Sequence, residues 1–226
     1  MGFMRNYDGA QRQDLFISSD VNTSGVVSAP LFGWSEPFTV TANTVTTIEV
    51  PLGLMNNQSD IVDNKGVHIS SEDTIAVYAL SFQNATADAT VIYPVKSTGT
   101  DYRVQAYRGF PDIPSYSSEF LIVATADETE IEITATANTV GGHTAGTPWT
   151  IQLNQGESYQ VQAIIDAGDL TGSTVRATAE SGACRPFAVY GGSVCPQVPA
   201  GCAACDHVYE QNLPTPFWGS SYYSVP

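Results

Sequence analysis

The order of hydrophobic and polar residues along this 226-residue chain predicts β-strands almost throughout. Two runs, Thr74–Leu80 and Pro186–Tyr190, are continuously apolar, which favours strands in a sandwich core. The best helical candidate is a short turn near Asp206–Gln211. Seven other segments alternate between apolar and polar positions and are rich in β-branched or aromatic residues, as strands with one buried face are: 38–42, 46–51, 66–70, 129–135, 149–153, 158–163 and 174–178.

The pattern also repeats within the chain. Phe187-Ala-Val-Tyr190 resembles Ile75-Ala-Val-Tyr78 at an offset of 112 residues. Pro214 precedes Tyr222 by eight residues, as Pro94 precedes Tyr102, and this second match has an offset of 120. The difference between the offsets indicates an insertion of eight residues, which falls where the cysteine-containing loop lies.

The repeat predicts an all-β chain of two tandem β-sandwich units with about seven strands each, the second carrying a disulfide-stapled long loop. We place the first unit at 1–98 and the second at 99–218. Residues 219–226 read as a strand that opens a further unit or closes the second, so we expect the chain to be part of a longer protein. A propeller is the alternative, but each unit is too long for a four-stranded blade of ~45 residues.

Charge and composition limit the kinds of partner that the chain can bind. The chain has 8 Lys and Arg against 23 Asp and Glu, a formal charge of −15. Nucleic acids and anionic membrane surfaces require clustered cations, so both are excluded as partners. No apolar run approaches the ~18 residues of a membrane span, so we expect no membrane insertion. No signal peptide is evident at the first residues.

Four cysteines lie in the last quarter of the chain, at positions 184, 195, 202 and 205. In an acidic, Thr-rich β chain an even number favours two disulfides and an extracytoplasmic location, secreted or at the cell surface. A zinc site built on Cys202-Ala-Ala-Cys205 is the alternative. It lacks a second closely spaced pair, because Cys184 and Cys195 are eleven residues apart.

The region around the cysteines has a distinctive series of residues: Tyr190-Gly-Gly192, Cys195, Val198-Pro199, Cys205-Asp-His207, Glu210-Gln211, Leu213-Pro214 and Trp218-Gly219. This series resembles the N-terminal domain of the IgG Fc-binding protein family, a module also associated with bacterial surface proteins. The resemblance covers essentially the whole chain. It implies a disulfide between Cys195 and Cys205, and it leaves Cys184 and Cys202 as an additional pair. It does not by itself assign IgG as a ligand.

Polar residues of this loop have two interpretations. His207 and Glu210 lie three apart beside Asp206, so one helical turn could present them to a metal or to acid–base chemistry. A long irregular loop must also satisfy its own backbone, and Asp, His, Glu and Gln do this well. We therefore predict that Asp206, His207, Glu210 and Gln211 brace the loop, and we expect no metal site and no catalytic site.

Other candidates are less specific. Acidic clusters at Asp60–Asp63, Asp127-Glu128 and Asp166–Asp169 could hold calcium, although none has the spacing of a calcium loop, so we expect no cofactor. Aromatic residues in or beside loops are candidate contacts for a protein or glycan ligand, because aromatic side chains dominate contact energies. Those selected are Trp34, Tyr116, Phe217 and Trp218.

These observations favour a non-enzymatic, extracellular or cell-surface module for adhesion, which binds a protein or glycan. The alternative is a structural subunit of a surface fibre or sheath, assembled by strand exchange or stacking, for which the terminal strands would provide self-association.

Overall fold

The computed structural model describes residues 1–110, 113, 115–164, 168–178, 185–199 and 201–221. No α-helix occurs in these ranges, and no helix there could span a membrane. The all-β class is thus confirmed. The strands are β1 Arg12–Ser18, β2 Thr23–Ala29, β3 Trp34–Val40, β4 Val45–Glu49, β5 Val62–Asp63, β6 His68–Ser71, β7 Ala76–Gln83, β8 Thr86–Val91, β9 Asp101–Arg103, β10 Ser118–Ala124, β11 Thr129–Thr134, β12 Trp149–Leu153, β13 Ser158–Gln162, β14 Thr174–Ala177, β15 Phe187–Ser193 and β16 Val208–Asn212.

The strands form four antiparallel sheets whose orders repeat along the chain. The first half contributes β4-β1-β7-β8 and β3-β2-β6. The second half contributes β13-β10-β15-β16, extended at one end by β5, and β12-β11-β14, extended by β9. Equivalent strands therefore occupy equivalent places. Two strands lie outside this scheme: β5, which joins the second unit's sheet by pairing with β13, and β9, which pairs with the outer edge of β14.

Each pair of sheets encloses a hydrophobic core. The first core contains Leu15, Ile17, Val27 and Val77, and the second contains Ile131, Ile133 and Val175 among others. The sheet that contains β10 and β15 lies between the two cores. Leu121 and Tyr190 of this sheet face the first core, and Phe120 and Val189 face the second. A sheet buried on both faces requires continuous apolar strands, which explains the unbroken apolar run at β15.

The segment before β1 fills the space between the units. Phe3 and Met4 are fully buried in the first core. Phe3 forms an isolated parallel bridge with Met55, and the side chain of Asn56 donates to the carbonyl oxygen of Phe3 at 2.9 Å. The Phe3 ring also packs against Tyr209 of the second half, with ring centroids 6.3 Å apart, so these first residues join the two halves into one packed body.

Two local predictions were wrong. The run Thr74–Leu80 was expected to be buried, but Ala76 and Tyr78 of β7 are exposed, because this sheet has a partner on one face only. The short helical turn near Asp206–Gln211 is instead strand β16, which pairs with β15. The sequence of β16 does not alternate between apolar and polar residues, because some of its buried positions carry polar side chains. A terminal strand was predicted at 219–226. Of this segment only 219–221 belong to the described residues.

Candidate binding site at the junction of the units

The cysteine-containing loop connects the neighbouring strands β15 and β16. A disulfide joins Cys195 to Cys205, ten residues apart in sequence, and closes the loop close to the two strand ends. Packing explains the second glycine of the Tyr190-Gly-Gly192 motif, because a Cβ atom on Gly192 would lie 1.8 Å from the carbonyl oxygen of Val208. Glycine in β15 thus permits β16 to approach.

The second predicted cysteine pair stays a prediction. Cys184 lies outside the described residues. Cys202 is exposed and forms no disulfide in the part of the chain that the structure describes.

The outer edge of β16 is covered by side chains of β8, its equivalent strand in the first unit. Three side-chain oxygens at alternate positions of β8 accept hydrogen bonds from the backbone N–H groups of His207, directly before β16, and of Tyr209 and Gln211 within it, each donor 121 residues further along the chain. The two edge strands therefore lie side by side in the same direction, without a backbone ladder between them. We call this contact the side-chain seam. Its bonds join Thr86 to His207 at 2.7 Å, Asp88 to Tyr209 at 2.8 Å and Thr90 to Gln211 at 2.9 Å.

Asp206 and Gln211 add further hydrogen bonds across the seam. The Asp206 carboxylate accepts from the backbone N–H of Ala87 at 2.8 Å, and the Gln211 side chain accepts from the N–H of Tyr93 at 2.8 Å. His207 is buried, and its Nδ1 lies 3.1 Å from the carbonyl oxygen of Ser193. Burial lowers the pKa of His207 to about 4. We propose that these contacts brace the loop, with His207 neutral at physiological pH.

The strand conformation separates His207 from Glu210. Glu210 lies in strand β16, which begins directly after His207, so the helical-turn arrangement of a His-x-x-Glu metal pair does not form. His207 is buried and Glu210 is exposed. No group of three His, Cys, Asp or Glu side chains among the described residues could hold a metal ion. Asp60 of the first acidic cluster instead accepts a hydrogen bond from the N–H of Gly141 at 2.9 Å, and Asp166 of the third cluster lies outside the described residues.

Phe217 and Trp218 come together in a surface cleft where the two units meet. We call it the junction cleft; its volume is about 400 Å³, and its walls include Tyr93, Gln105, Glu210, Phe217 and Trp218. Phe217 is 55% exposed and Trp218 43%. The indole N–H of Trp218 donates to the carbonyl oxygen of Leu213 at 3.1 Å, so the ring is held in place while its surface stays accessible.

The cleft is also acidic. Glu210 forms one wall, and its carboxyl group is partly desolvated, which raises its pKa, with a further contribution from the nearby Asp88. Sequence reasoning selected Phe217 and Trp218 but missed Tyr93 and Gln105, which reach the cleft only through the packing of the two units.

The other two aromatic candidates lie elsewhere. Trp34 begins β3 and packs against the first core. Tyr116 contacts Tyr7, with ring centroids 5.0 Å apart, and Phe110, edge-on at 6.2 Å. Neither residue borders the junction cleft.

Removal of the loop disulfide tests its contribution to stability. A cross-link that closes a loop of this size restricts the unfolded chain and stabilises the fold by about 2–3 kcal/mol. We therefore expect the double replacement Cys195→Ser, Cys205→Ser to lower Tm by roughly 5–10 °C in calorimetry. Cys202→Ser serves as the matched control, because Cys202 is exposed and unpaired within the described chain. A double variant as stable as the control would show that β15 and β16 alone order the loop.

Paired β-sandwiches, a stapled loop between two buried strands and an aromatic junction cleft define a class of all-β module. A family model described as "IgGFc binding protein" matches residues 88–226, and the chain belongs to this family. It is 33% identical over 163 residues to a human protein named IgGFc-binding protein, a match that covers 71% of this chain and 3% of that protein. No solved structure matches the chain.

Proposed function

We propose that this chain is a non-enzymatic, extracytoplasmic module of a longer protein, and that it binds a protein or glycan at the junction cleft. The observation that carries the proposal is the exposed pair Phe217 and Trp218 beside Glu210, with the Trp218 ring held by its hydrogen bond to Leu213. Rigid aromatic side chains provide large contact area at a small cost in conformational entropy, which is why they dominate binding interfaces.

Electrostatics restrict the kind of partner. A formal charge of −15, with Glu210 in the cleft wall, repels anionic ligands and favours a neutral or basic surface. The Fc fragment of IgG is the first protein probe to use, because the human relative carries that name. The disulfide supports an extracytoplasmic location, since disulfides persist in oxidising compartments.

Binding by the full chain is tested with immobilised protein against two probes, an IgG Fc fragment and a glycan array. We expect Trp218→Ala to weaken binding by at least roughly 10-fold, the loss typical of a central aromatic contact. Phe32→Ala is the matched control, because Phe32 is a 43% exposed aromatic residue away from the cleft. Binding unaffected by Trp218→Ala would place the contact elsewhere, and a protein that binds neither probe would contradict IgG Fc and the arrayed glycans as its ligands.

A structural role in a surface fibre is the second candidate. It is favoured by the outer edge of β6, which pairs with no other strand in the described ranges. Open sheet edges can accept strands from other molecules. Size-exclusion chromatography and electron microscopy of the full chain distinguish the two functions, because ordered polymers are expected only for the fibre.

A further inference from the structure

Two aromatic rings of the junction cleft have faces that no other ring covers. Phe217 and Trp218 are 55% and 43% exposed, and neither stacks on another aromatic side chain among the described residues. The cation–π contact that the described chain contains lies elsewhere, between Arg12 and Phe82. Both ring faces are therefore available to a ligand.

The 3-10 turn that carries these rings is constrained at several points. Pro214 and Pro216 flank its first residue, Thr215, and the ring of a proline restricts the backbone angle φ to about −65°. The N–H of Phe217 donates to the carbonyl oxygen of Pro214 at 2.9 Å, and the N–H of Trp218 donates to that of Thr215 at 3.1 Å. A turn that is ordered before binding loses little conformational entropy on binding, which favours affinity.

The junction cleft also contains a negative charge without a cationic partner. Glu210 forms no ion pair within the described part of the chain, and none of the residues that line the cleft is Lys, Arg or His. Partial desolvation raises the pKa of the Glu210 carboxyl group; a hydrogen bond with the Thr90 side chain lowers this pKa, and the nearby Asp88 raises it again. Thr90 is neutral, so it does not balance the charge of Glu210. A cationic ligand would balance it.

Gln105 adds an uncharged polar group to the same cleft. Its backbone N–H donates to the side-chain oxygen of Asn212 at 2.8 Å, and its carbonyl oxygen accepts from the Asn212 amide at 3.4 Å, so Asn212 fixes its position. The side chain of Gln105 is exposed and has no hydrogen-bond partner among the described residues. Its amide oxygen is therefore a free acceptor in the cleft that Glu210 also lines.

These walls suit one class of ligand. Glu210 repels anions, and a metal ion such as calcium requires more oxygen ligands than one carboxylate and two amides provide. A neutral sugar can stack on the rings but does not balance the charge of Glu210. An organic cation does both, because aromatic faces attract cations and carboxylates pair with them. The cleft volume of about 400 Å³ is small for a ligand pocket and suits a single side chain.

Among organic cations, a guanidinium group matches the cleft best. It is planar, stacks on aromatic faces and donates hydrogen bonds in fixed directions, whereas a lysine ammonium is more strongly hydrated and a quaternary ammonium has no donor. We propose that the junction cleft binds an arginine side chain of a protein partner, with the guanidinium on the Trp218 ring and its N–H groups donating to Glu210 and Gln105. This inference rests on the proposed function, in which the cleft is the binding site, and specifies the group that the cleft recognises.

Two small probes test the recognition of arginine directly. N-acetyl-arginine amide and N-acetyl-citrulline amide have nearly the same shape, but only the first carries a charge. Each is titrated to millimolar concentrations into the isotope-labelled full chain, and NMR follows the indole N–H signal of Trp218, one of three tryptophans. We expect the Trp218 signal alone to shift, with a Kd at least roughly 5-fold lower for the arginine probe than for the citrulline probe.

Variants then assign the charge effect to one carboxylate. Glu210→Gln keeps the size of the side chain and removes its charge, so we expect it to raise the Kd of the arginine probe by roughly 5- to 10-fold and to leave the citrulline probe unaffected. Glu132→Gln is the matched control, because Glu132 is exposed on β11 and does not line the cleft. Trp218→Ala identifies the indole signal, since that signal disappears in this variant.

Other outcomes separate this inference from the proposed function. Equal affinity for the two probes, no shift with either, or an arginine affinity unchanged by Glu210→Gln would overturn the recognition of arginine. Choline as a third probe that bound more tightly than the arginine probe would overturn it in favour of a quaternary ammonium group. The proposed function would survive each of these results if Trp218→Ala still weakened binding to the Fc fragment or to glycans, and binding to glycans alone would make a neutral sugar the ligand.

Discussion

Replacement of Tyr209 by alanine is expected to lower Tm by about 10 °C. Tyr209 is fully buried on β16, where its ring packs 6.3 Å from Phe3 and 5.6 Å from Tyr190, measured between centroids. Its hydroxyl donates to the carbonyl oxygen of Gly2 at 2.5 Å. Truncation of a buried aromatic residue costs about 3–5 kcal/mol, and here the cavity would open between the first residues and the central sheet.

Two further variants separate the contributions to this loss. Tyr209→Phe keeps the ring but leaves the Gly2 carbonyl oxygen without this donor, which costs about 1–3 kcal/mol, so a smaller fall in Tm is expected. Tyr78→Ala is the matched control, because Tyr78 is 49% exposed on β7. Thermal unfolding followed by circular dichroism measures all three. Equal Tm values for Tyr209→Ala and the Tyr78→Ala control would show that the packing of the first residues does not depend on the Tyr209 ring.

Glu119→Gln is expected to stabilise the protein increasingly as pH rises from about 4.5 to 8. Glu119 is fully buried on β10, and its carboxyl group accepts one hydrogen bond from the side chain of Gln162, at 2.9 Å. Burial raises the pKa of Glu119 to about 8. In the unfolded chain the Glu119 carboxyl group ionises near pH 4.5. Between this value and pH 8 the unfolded state therefore binds fewer protons than the folded state, and the stability of the wild type falls as pH rises. The neutral glutamine avoids this loss.

Urea unfolding at pH 5, 6, 7 and 8 measures the effect. We expect the free energy of unfolding of Glu119→Gln to exceed that of wild type by a margin that grows by up to about 1.4 kcal/mol per pH unit and levels off above pH 8. The ionisations of His207 and of the Met1 amino group are present in both proteins and cancel in the difference. Glu132→Gln, an exposed change on β11, should show no such trend. A margin independent of pH would mean that Glu119 is ionised in the folded protein.

The alternation of apolar and polar residues along the chain was enough to predict the all-β fold class. The strands with one solvated face and a regular pattern, such as β11 and β12, lie where the sequence indicated. β1 was not singled out, because buried polar residues, Gln13 and Asp14, interrupt its apolar pattern. β16 was mistaken for a helical turn for the same reason: Gln211 and Asn212 are polar yet buried.

The site was less accessible to sequence reasoning than the fold. The stapled loop and the pair Phe217 and Trp218 could be selected because they are local in sequence. Tyr93 could not, since it reaches the junction cleft from more than 100 residues away. The partners of Asp206 and Gln211 are equally distant. Contacts of this kind depend on how the two units pack, and a pattern that repeats within each unit contains no information about that packing.

The side-chain seam between β8 and β16 has a consequence for how such modules recognise one another. Backbone ladders between edge strands form almost regardless of sequence, which is why open edges aggregate. At the seam the acceptors are side chains instead, on Thr86, Asp88 and Thr90. This contact requires oxygen-bearing side chains at three alternate positions, so it depends on sequence where a backbone ladder does not. The adjacency of the two units is thus specified by side chains from both sides, Thr86, Asp88 and Thr90 on the first unit and Asp206 and Gln211 on the second.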